Sequence, residues 1–233
     1  MSDMELSDCC IISCGVGGWY PRGVDRLSQS LIEHKWKGAS IFFRSLPVGC
    51  PPHEQDPYAF KIHAINQAIQ KGYKKILWLD ASVWAIQDPE PFFRYIRKHG
   101  YYFFKTGYNC AQSCNDKILE YVGKTRDEAE QMTEAATGCI GLDLDKKISK
   151  AFFRNWIQFM KDGAFHGSRL HDNQSKDPRF LFHRQDQSAA SLIINHLGMK
   201  INDPGDWVAY TAHKQYYGTE VNKSTLTFLI QGM

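Results

Sequence analysis

The run "KKILWLDASVWAI" (74–86) carries four apolar residues, Ile76 to Leu79, and then a carboxylate, Asp80. An ionisable group at the end of a buried strand is costly unless it is paired or binds a cation. Asp80 and Ser82 stand two positions apart, so in extended chain their side chains leave on the same side. A carboxylate and a hydroxyl so placed can meet a hard divalent ion that bridges phosphates. The competing role for Asp80 is a helix cap or the partner of a nearby Lys or Arg.

A second stretch, "ISCGVGGWYPRG" (12–23), has glycines at 15, 17 and 18. Closely spaced glycines let backbone N–H groups approach a phosphate. Position 20 is Tyr, so the G-x-G-x-x-G fingerprint of dinucleotide-binding proteins is not met, and the Gly-Lys-Ser/Thr ending of a P-loop is missing too. Trp19 and Tyr20 could stack on a base or sugar; a tight turn with exposed aromatics explains the stretch equally well.

A third group, "HRQDQSAASLI" (183–193), sets His183, Arg184, Asp186 and Gln187 at the entry to an apolar helix. Polar residues there are often only caps. The preceding loop adds Arg169, His171, Asp172, Asp177 and Arg179, a density of hydrogen-bonding groups suited to a polyhydroxylated or phosphorylated ligand. A surface loop without function is the alternative. His213 stands alone in the tail, where a structural role is the default.

The elements that must position these residues alternate between strand and helix. Strands are expected at 9–15, 39–47, 75–79, 101–107, 138–145 and in "TLTFLI" (225–230). Helices are expected at 24–36, with Leu27, Leu31 and Ile32 inward, at 88–100, at 148–160 and at 184–198. A further helix has Tyr58, Ile62, Ile65 and Ile69 as its stripe and Gly72 at its end. Residues 127–138 read as helix then loop, and 161–180 is a loop long enough to be functional. Alternation of this kind predicts an α/β fold with a mostly parallel central sheet flanked by helices. Ligands in such sheets bind beyond the carboxyl ends of strands, where Asp80 and the Gly-rich loop both lie.

At 233 residues, with 43% hydrophobic and 23% charged residues, the chain is expected to fold as one globular domain. No stretch approaches the roughly 20 apolar residues of a membrane span, and the acidic start is unlike a secretory signal. A soluble cytoplasmic protein with no membrane partner is the expectation. The seven cysteines form no regular framework; Cys110 and Cys114 lack the second ligand pair that zinc needs. The net charge of +3 is too small to indicate nucleic acid by itself.

The segment "YAFKIHAINQAIQKGYKKILWLDASVWAIQDPEPFF" resembles the core of nucleotide-sugar-dependent glycosyltransferases of the GT-A fold, a Rossmann-like architecture. In that family a helix precedes a strand ending in Asp-x-Asp, and a "D-P" connection leads on. "ATGCIGLDLDKKISKAFFRNW" is similar to the family's small-residue strand and following helix. "RQDQSAASLIINHLGMKI" resembles the Asp-Gln segment of the glycogenin-like and galactosyltransferase-like branches. The resemblance covers about residues 9–201 and implies a single GT-A-like domain over 1–233. Its nucleotide-sugar half would span about 1–100 and its acceptor and catalytic half about 101–233.

The resemblance implies a nucleoside-diphosphate sugar donor, a UDP-sugar first, and Mn²⁺ or Mg²⁺ as cofactor. The metal would be held by Asp80, by Ser82 where the family has its second Asp, and by His213. Donor and nucleotide contacts would come from Cys14, Gly15, Val16, Tyr20, Lys61, Asp80, Ser82 and Arg184. Asp186 and Gln187 would be catalytic, Asp186 binding the donor sugar or acting as base. Arg169, His171, Asp172 and His183 would line the acceptor loop. The acceptor would be a glycan or a hydroxymethylated base in DNA. Two other classes stay open: a nucleotidyltransferase, and a non-catalytic sugar or nucleic-acid binding module.

Overall fold

Strand β1 (Cys9–Cys14) is buried along its whole length and pairs in parallel with β2 (Ala39–Phe43) and with β3 (Lys75–Leu79). Between them run α1 (Tyr20–Glu33) and α2 (Ala59–Gln70). The computed structural model describes residues 6–167, 175–210 and 224–230. After β3 come β4 (Val83–Ala85), α3 (Glu90–His99), β5 (Tyr101–Tyr102) and β6 (Lys105–Asn109). Three short helices follow, α4 (Cys110–Ser113), α5 (Asp116–Tyr121) and α6 (Arg126–Glu130). Next are β7 (Thr133–Ala135), β8 (Cys139–Asp143), α7 (Lys147–Lys161), α8 (Asp186–His196), β9 (Val208–Tyr210) and β10 (Phe228–Ile230).

The central sheet has five strands in the order β2-β1-β3-β8-β5. β8 runs antiparallel to both of its neighbours, β3 and β5, so the other four strands share one direction. The mostly parallel expectation therefore holds, with β8 as the reversed strand. Its reversal has a consequence for the site: Leu79 pairs with Cys139, so the residues just before β8 meet the residue just after β3. Small accessory sheets join β4, β10 and β9, and β6 and β7.

Alternate residues of the buried strands feed two cores, one on each face of the sheet. Cys10, Ile12, Ile76 and Trp78 pack with Ile62, Ile65, Phe152, Trp156 and Ile193 from α2, α7 and α8. Cys9, Ile11, Leu77 and Leu79 pack with Leu27, Leu31, Phe92 and Ile96 from α1 and α3. The period-2 burial of a strand with helices on both sides explains its continuous apolar sequence. Among the described residues no helix is long and apolar enough to cross a membrane.

Some local expectations change. The first helix starts at Tyr20, with Pro21 in its first turn, and Ile32 faces outward at 68% exposure while Leu27 and Leu31 are buried. The aromatic run 101–107 divides between β5 and β6, because its two ends pair with different partners, β8 and β7. Residues 133–135, expected as loop, form β7. α3 begins at Glu90, whose N–H donates to the Asp88 carboxylate at 3.0 Å, and Gly100 closes it at φ +93°. α8 is buried on all faces from Asp186 to Ile194, Ser188 and Ser191 included, rather than along one stripe.

Candidate active site

Four segments bring polar groups together beyond the carboxyl end of β3. Asp80 follows the strand directly, and its backbone N–H donates to Gly138 O at 2.9 Å. Trp78, two residues earlier and on the same face, donates its indole Nε1–H to Asp80 Oδ1 at 2.8 Å. Lys61 enters from the first turn of α2. Asp186 is the first residue of α8, and Thr137 lies just before β8.

Lys61 Nζ is the hub. It lies 2.9 Å from Asp186 Oδ2 and 3.3 Å from Asp80 Oδ1, and it donates to Thr137 Oγ1 at 3.1 Å and Thr137 O at 3.2 Å. Thr137 Oγ1 in turn donates to Asp186 Oδ2 at 2.9 Å. The side chains of Lys61 and Asp186 are 3% and 4% exposed, whereas that of Asp80 is 37% exposed. Asp80 is thus the face this network shows to solvent.

Burial alone would lower the Lys61 pKa, but the charges of Asp186 and Asp80 outweigh it and hold the ammonium protonated above its ordinary range. Burial pushes the Asp186 carboxyl up, with Lys61 opposing. An internal ion pair is tolerated when further hydrogen bonds complete it, and Thr137 supplies them here. Lys61, for which the resemblance implied a donor contact, is buried as an internal counter-ion. The pairing role considered for Asp80 also holds, on its Oδ1 side.

Backbone strain marks both helix entries. Tyr58, at φ +60°, directly precedes α2, and Gln185, at φ +52° and ψ −112°, directly precedes α8. Non-glycine residues at positive φ persist where surrounding structure over-determines them. Tyr58 places its ring 5.4 Å from Lys61 Nζ, and Gln185 is anchored by its amide donating to Gly167 O at 2.7 Å. Trp156 Nε1 donates to Asp186 O at 3.1 Å and fixes the start of α8.

Gln187 completes this side. Its Oε1 accepts from Thr137 N at 3.2 Å, while its buried Nε2 has no hydrogen-bond partner among the described residues. A buried donor left open beside a site is a candidate ligand contact.

Across the strand ends, the pairing of Ile12 with Trp78 brings Cys14 level with Asp80. Cys14 is buried, and burial first, then Cys50 and Asp80, raise its thiol pKa to about 12, so it is a neutral wall group. Gly15 is required: a Cβ there would lie 2.3 Å from Tyr20 O. Gly17 and Gly18 take φ of +72° and +51°. The resulting turn leaves Val16, Trp19 and Tyr20 43%, 40% and 43% exposed, the two rings stacked at 4.8 Å. The segment after Asp80 is clamped by α1, where Arg26 donates to Ser82 O at 2.7 Å and Gly23 packs on Ala81 O.

The remaining sequence candidates divide. Arg184 borders the site, its guanidinium 4.5 Å from the Phe182 ring centroid. His183 is fully buried, its Nδ1 accepts from Asn115 N at 3.4 Å, and burial lowers its pKa to about 4, so it packs inside the wall as a neutral imidazole. Arg169, His171, Asp172 and His213 lie outside the described residues. Thr137, Trp78 and Trp156 were missed; the Trp78-to-Asp80 spacing of two was a readable signal, whereas Thr137 required knowing how β8 pairs.

No protein-family model and no curated protein matches the sequence. Solved structures do. A glycosyltransferase involved in glycosylation of the major capsid of PBCV-1 is similar with a TM-score of 0.53 at 14% identity, over 95% of this chain and 92% of that one. Mouse xyloside xylosyltransferase 1 gives 0.54 at 12% identity, over 96% and 97%. The bifunctional glycosyltransferase WbbM gives 0.55 at 9% identity, over 99% of this chain and 46% of that one. The fold is that of the GT-A glycosyltransferases. In this GT-A frame the Gly-rich turn after β1, Asp80 after β3 and the entry to α8 all border one end of the sheet.

Proposed function

We propose that the protein is a glycosyltransferase that moves a sugar from a nucleoside-diphosphate sugar, a UDP-sugar first, to a hydroxyl acceptor. The observation that carries this reading is the buried Lys61, shared by Asp80 and Asp186 at the carboxyl end of β3 within a GT-A fold. In the reaction the bond between the donor's anomeric carbon and its phosphate oxygen breaks. A bond from that carbon to the acceptor oxygen forms, and the acceptor's proton passes to the oxygen of the departing nucleoside diphosphate.

Each residue then has a defined task. The turn from Gly15 to Tyr20 receives the nucleotide, with its exposed rings available to the base. Asp186 orients the donor sugar, with its Oδ2 held by an ammonium and a hydroxyl. Gln187 Nε2 donates to a sugar hydroxyl, and its Oε1 stays on Thr137.

The metal fits only in reduced form. Asp80 Oδ1 is engaged by Trp78 and Lys61, which leaves Oδ2 and the Ser82 hydroxyl, and no group of three His, Cys, Asp or Glu among the described residues could hold a metal ion. Mn²⁺ or Mg²⁺ would be held by Asp80 and Ser82 together with the donor's own diphosphate. There it would supply Lewis-acid stabilisation of the leaving phosphate.

The test is a thermal-shift series with UDP, GDP, CDP, ADP and TDP, each with and without Mn²⁺. A ligand that binds the folded state raises the melting temperature. One nucleotide should do so, and the matching sugar nucleotide should be hydrolysed slowly in water. Binding without turnover of any donor would mark a non-catalytic module. No shift from any nucleotide would overturn the reading.

A further inference from the structure

Beside the proposed donor site lies a second polar constellation built on a distortion of the β6–β7 ladder. Lys105 pairs with Ala135 and Asn109 with Thr133, so Thr106, Gly107 and Tyr108 on one strand oppose the single residue Glu134 on the other. Gly107 takes φ +96°, which permits the bulge. Bulges re-aim side chains and recur next to active sites. Here the bulge joins the Tyr108 N–H to Thr106 Oγ1 at 3.2 Å, and that hydroxyl donates to Glu134 Oε2.

Glu134 is fully buried, yet its Oε1 has no hydrogen-bond partner among the described residues. The cation facing it, Arg184 Nε, is 4.0 Å away, beyond hydrogen-bond range. Arg184 is 29% exposed and is held over two rings, 4.5 Å from the Phe182 centroid and 5.8 Å from that of Tyr108. Those rings meet edge to face at 5.0 Å and 85°, forming a corner. The arrangement closes a circuit from Tyr108 through Thr106, Glu134 and Arg184 back to Tyr108, with one buried carboxylate oxygen unmet. Glu134 stands three residues before Thr137, and Arg184 two before Asp186, which ties this cluster to the hub.

We propose that Glu134, Arg184, Tyr108 and Phe182 form the acceptor subsite and that it takes a neutral sugar. The inference rests on the glycosyltransferase reading and names its acceptor. A carboxylate accepts from hydroxyls and a guanidinium donates to them, so a sugar diol satisfies both and fills the unmet oxygen. The two aromatic rings offer apolar surface to the face of the sugar ring. Because the ion pair is neutral as a unit, it selects hydroxyls over a phosphate or carboxylate. A nucleic-acid acceptor would call for uncompensated Lys and Arg in place of a cation already matched by a buried Glu.

Saturation-transfer NMR with methyl glycosides of glucose, galactose, mannose, N-acetylglucosamine and glucuronic acid tests this without nucleotide. At least one neutral glycoside should bind. Arg184→Gln and Phe182→Ala should each weaken it by about tenfold or more, with circular dichroism confirming that each variant is folded. Glu134→Gln keeps the Thr106 contact but leaves Arg184 uncompensated, so preference should move toward the glucuronide, a change that a merely structural Glu134 would not produce. The proposal is overturned if no neutral glycoside binds the native protein, if binding is the same in folded variants, or if an oligonucleotide bearing 5-hydroxymethylcytosine binds instead. Nucleotide shifts are read separately, so loss of the donor reading is recognised by itself.

Discussion

Lys61 Nζ lies 2.9 Å from Asp186 Oδ2 and 3.3 Å from Asp80 Oδ1, so one buried ammonium serves two carboxylates that arrive from different halves of the chain. Removing it leaves Asp186 charged inside the protein. Lys61→Met should lower the unfolding free energy by about 3–5 kcal/mol in urea titrations. Asp186→Asn added to that variant should recover part of the loss, because no unpaired buried charge is then left. In Lys61→Met alone, stability should rise as the pH falls and Asp186 takes a proton. A loss below about 1 kcal/mol would mean that the pair is solvated, contrary to the 3% and 4% exposures.

His183 should give the wild-type protein a second pH dependence, of opposite direction. Burial lowers its pKa from the ordinary 6.5 to about 4, with a backbone contact from His166 partly opposing. Between those values the unfolded chain holds a proton that the folded one lacks, so protons favour unfolding. Stability should increase from pH 4 to pH 6.5 with a slope of up to about 1.4 kcal/mol per pH unit from this group, and its contribution should be flat above. Urea midpoints of His183→Gln across the same range should lack that increment of slope.

Ser82→Asp probes the metal. The substitution places a second carboxylate two residues after Asp80 on a half-buried turn. It should enlarge the Mn²⁺-dependent part of the nucleotide-induced melting shift and leave the metal-free part unchanged or smaller. Equal shifts in both proteins would place the metal, if it binds, away from this turn.

Gly23→Ala probes the clamp on the Asp80 segment. A Cβ there would stand 2.2 Å from Ala81 O, a backbone atom that cannot turn aside. Either α1 or residues 80–82 must move, at a cost of about 1–3 kcal/mol in thermal or chemical denaturation. Nucleotide affinity should fall with it, since the same shift displaces Asp80.

Where the sequence pattern is long and periodic, it was readable. α2 buries Ile62 and Ile65 and half-buries Ile69, while Tyr58 falls just outside the helix, and β3 is an apolar run too short for a helix. Asp80 stood out because its chemistry contradicts its surroundings, and Asp186 and Gln187 because of the resemblance drawn from their segment. β4 and β9, three residues each, have no period to detect. The inward turn of Lys61 was hidden, since a lysine beside an apolar stripe is solvated in most helices and only the arrival of two carboxylates reverses that. Thr137 and Glu134 depend on strand pairing, which no local pattern encodes: one needs the reversed β8, the other a bulge in β6 opposite its own place in β7.

The reversed strand β8 also bears on how the molecule is made. Thr137 is 76 positions from Lys61 and Asp186 a further 49, so the charged hub cannot exist until late-synthesised chain has docked against early-synthesised chain. Until then Lys61 has no reason to leave water, and α2 cannot seat fully on the sheet. Long-range closure of this sort slows folding. It makes completion of the hub and completion of the fold one event, so a chain that stops short of α8 would retain an open, hydrated interior at Lys61 in place of the paired charges.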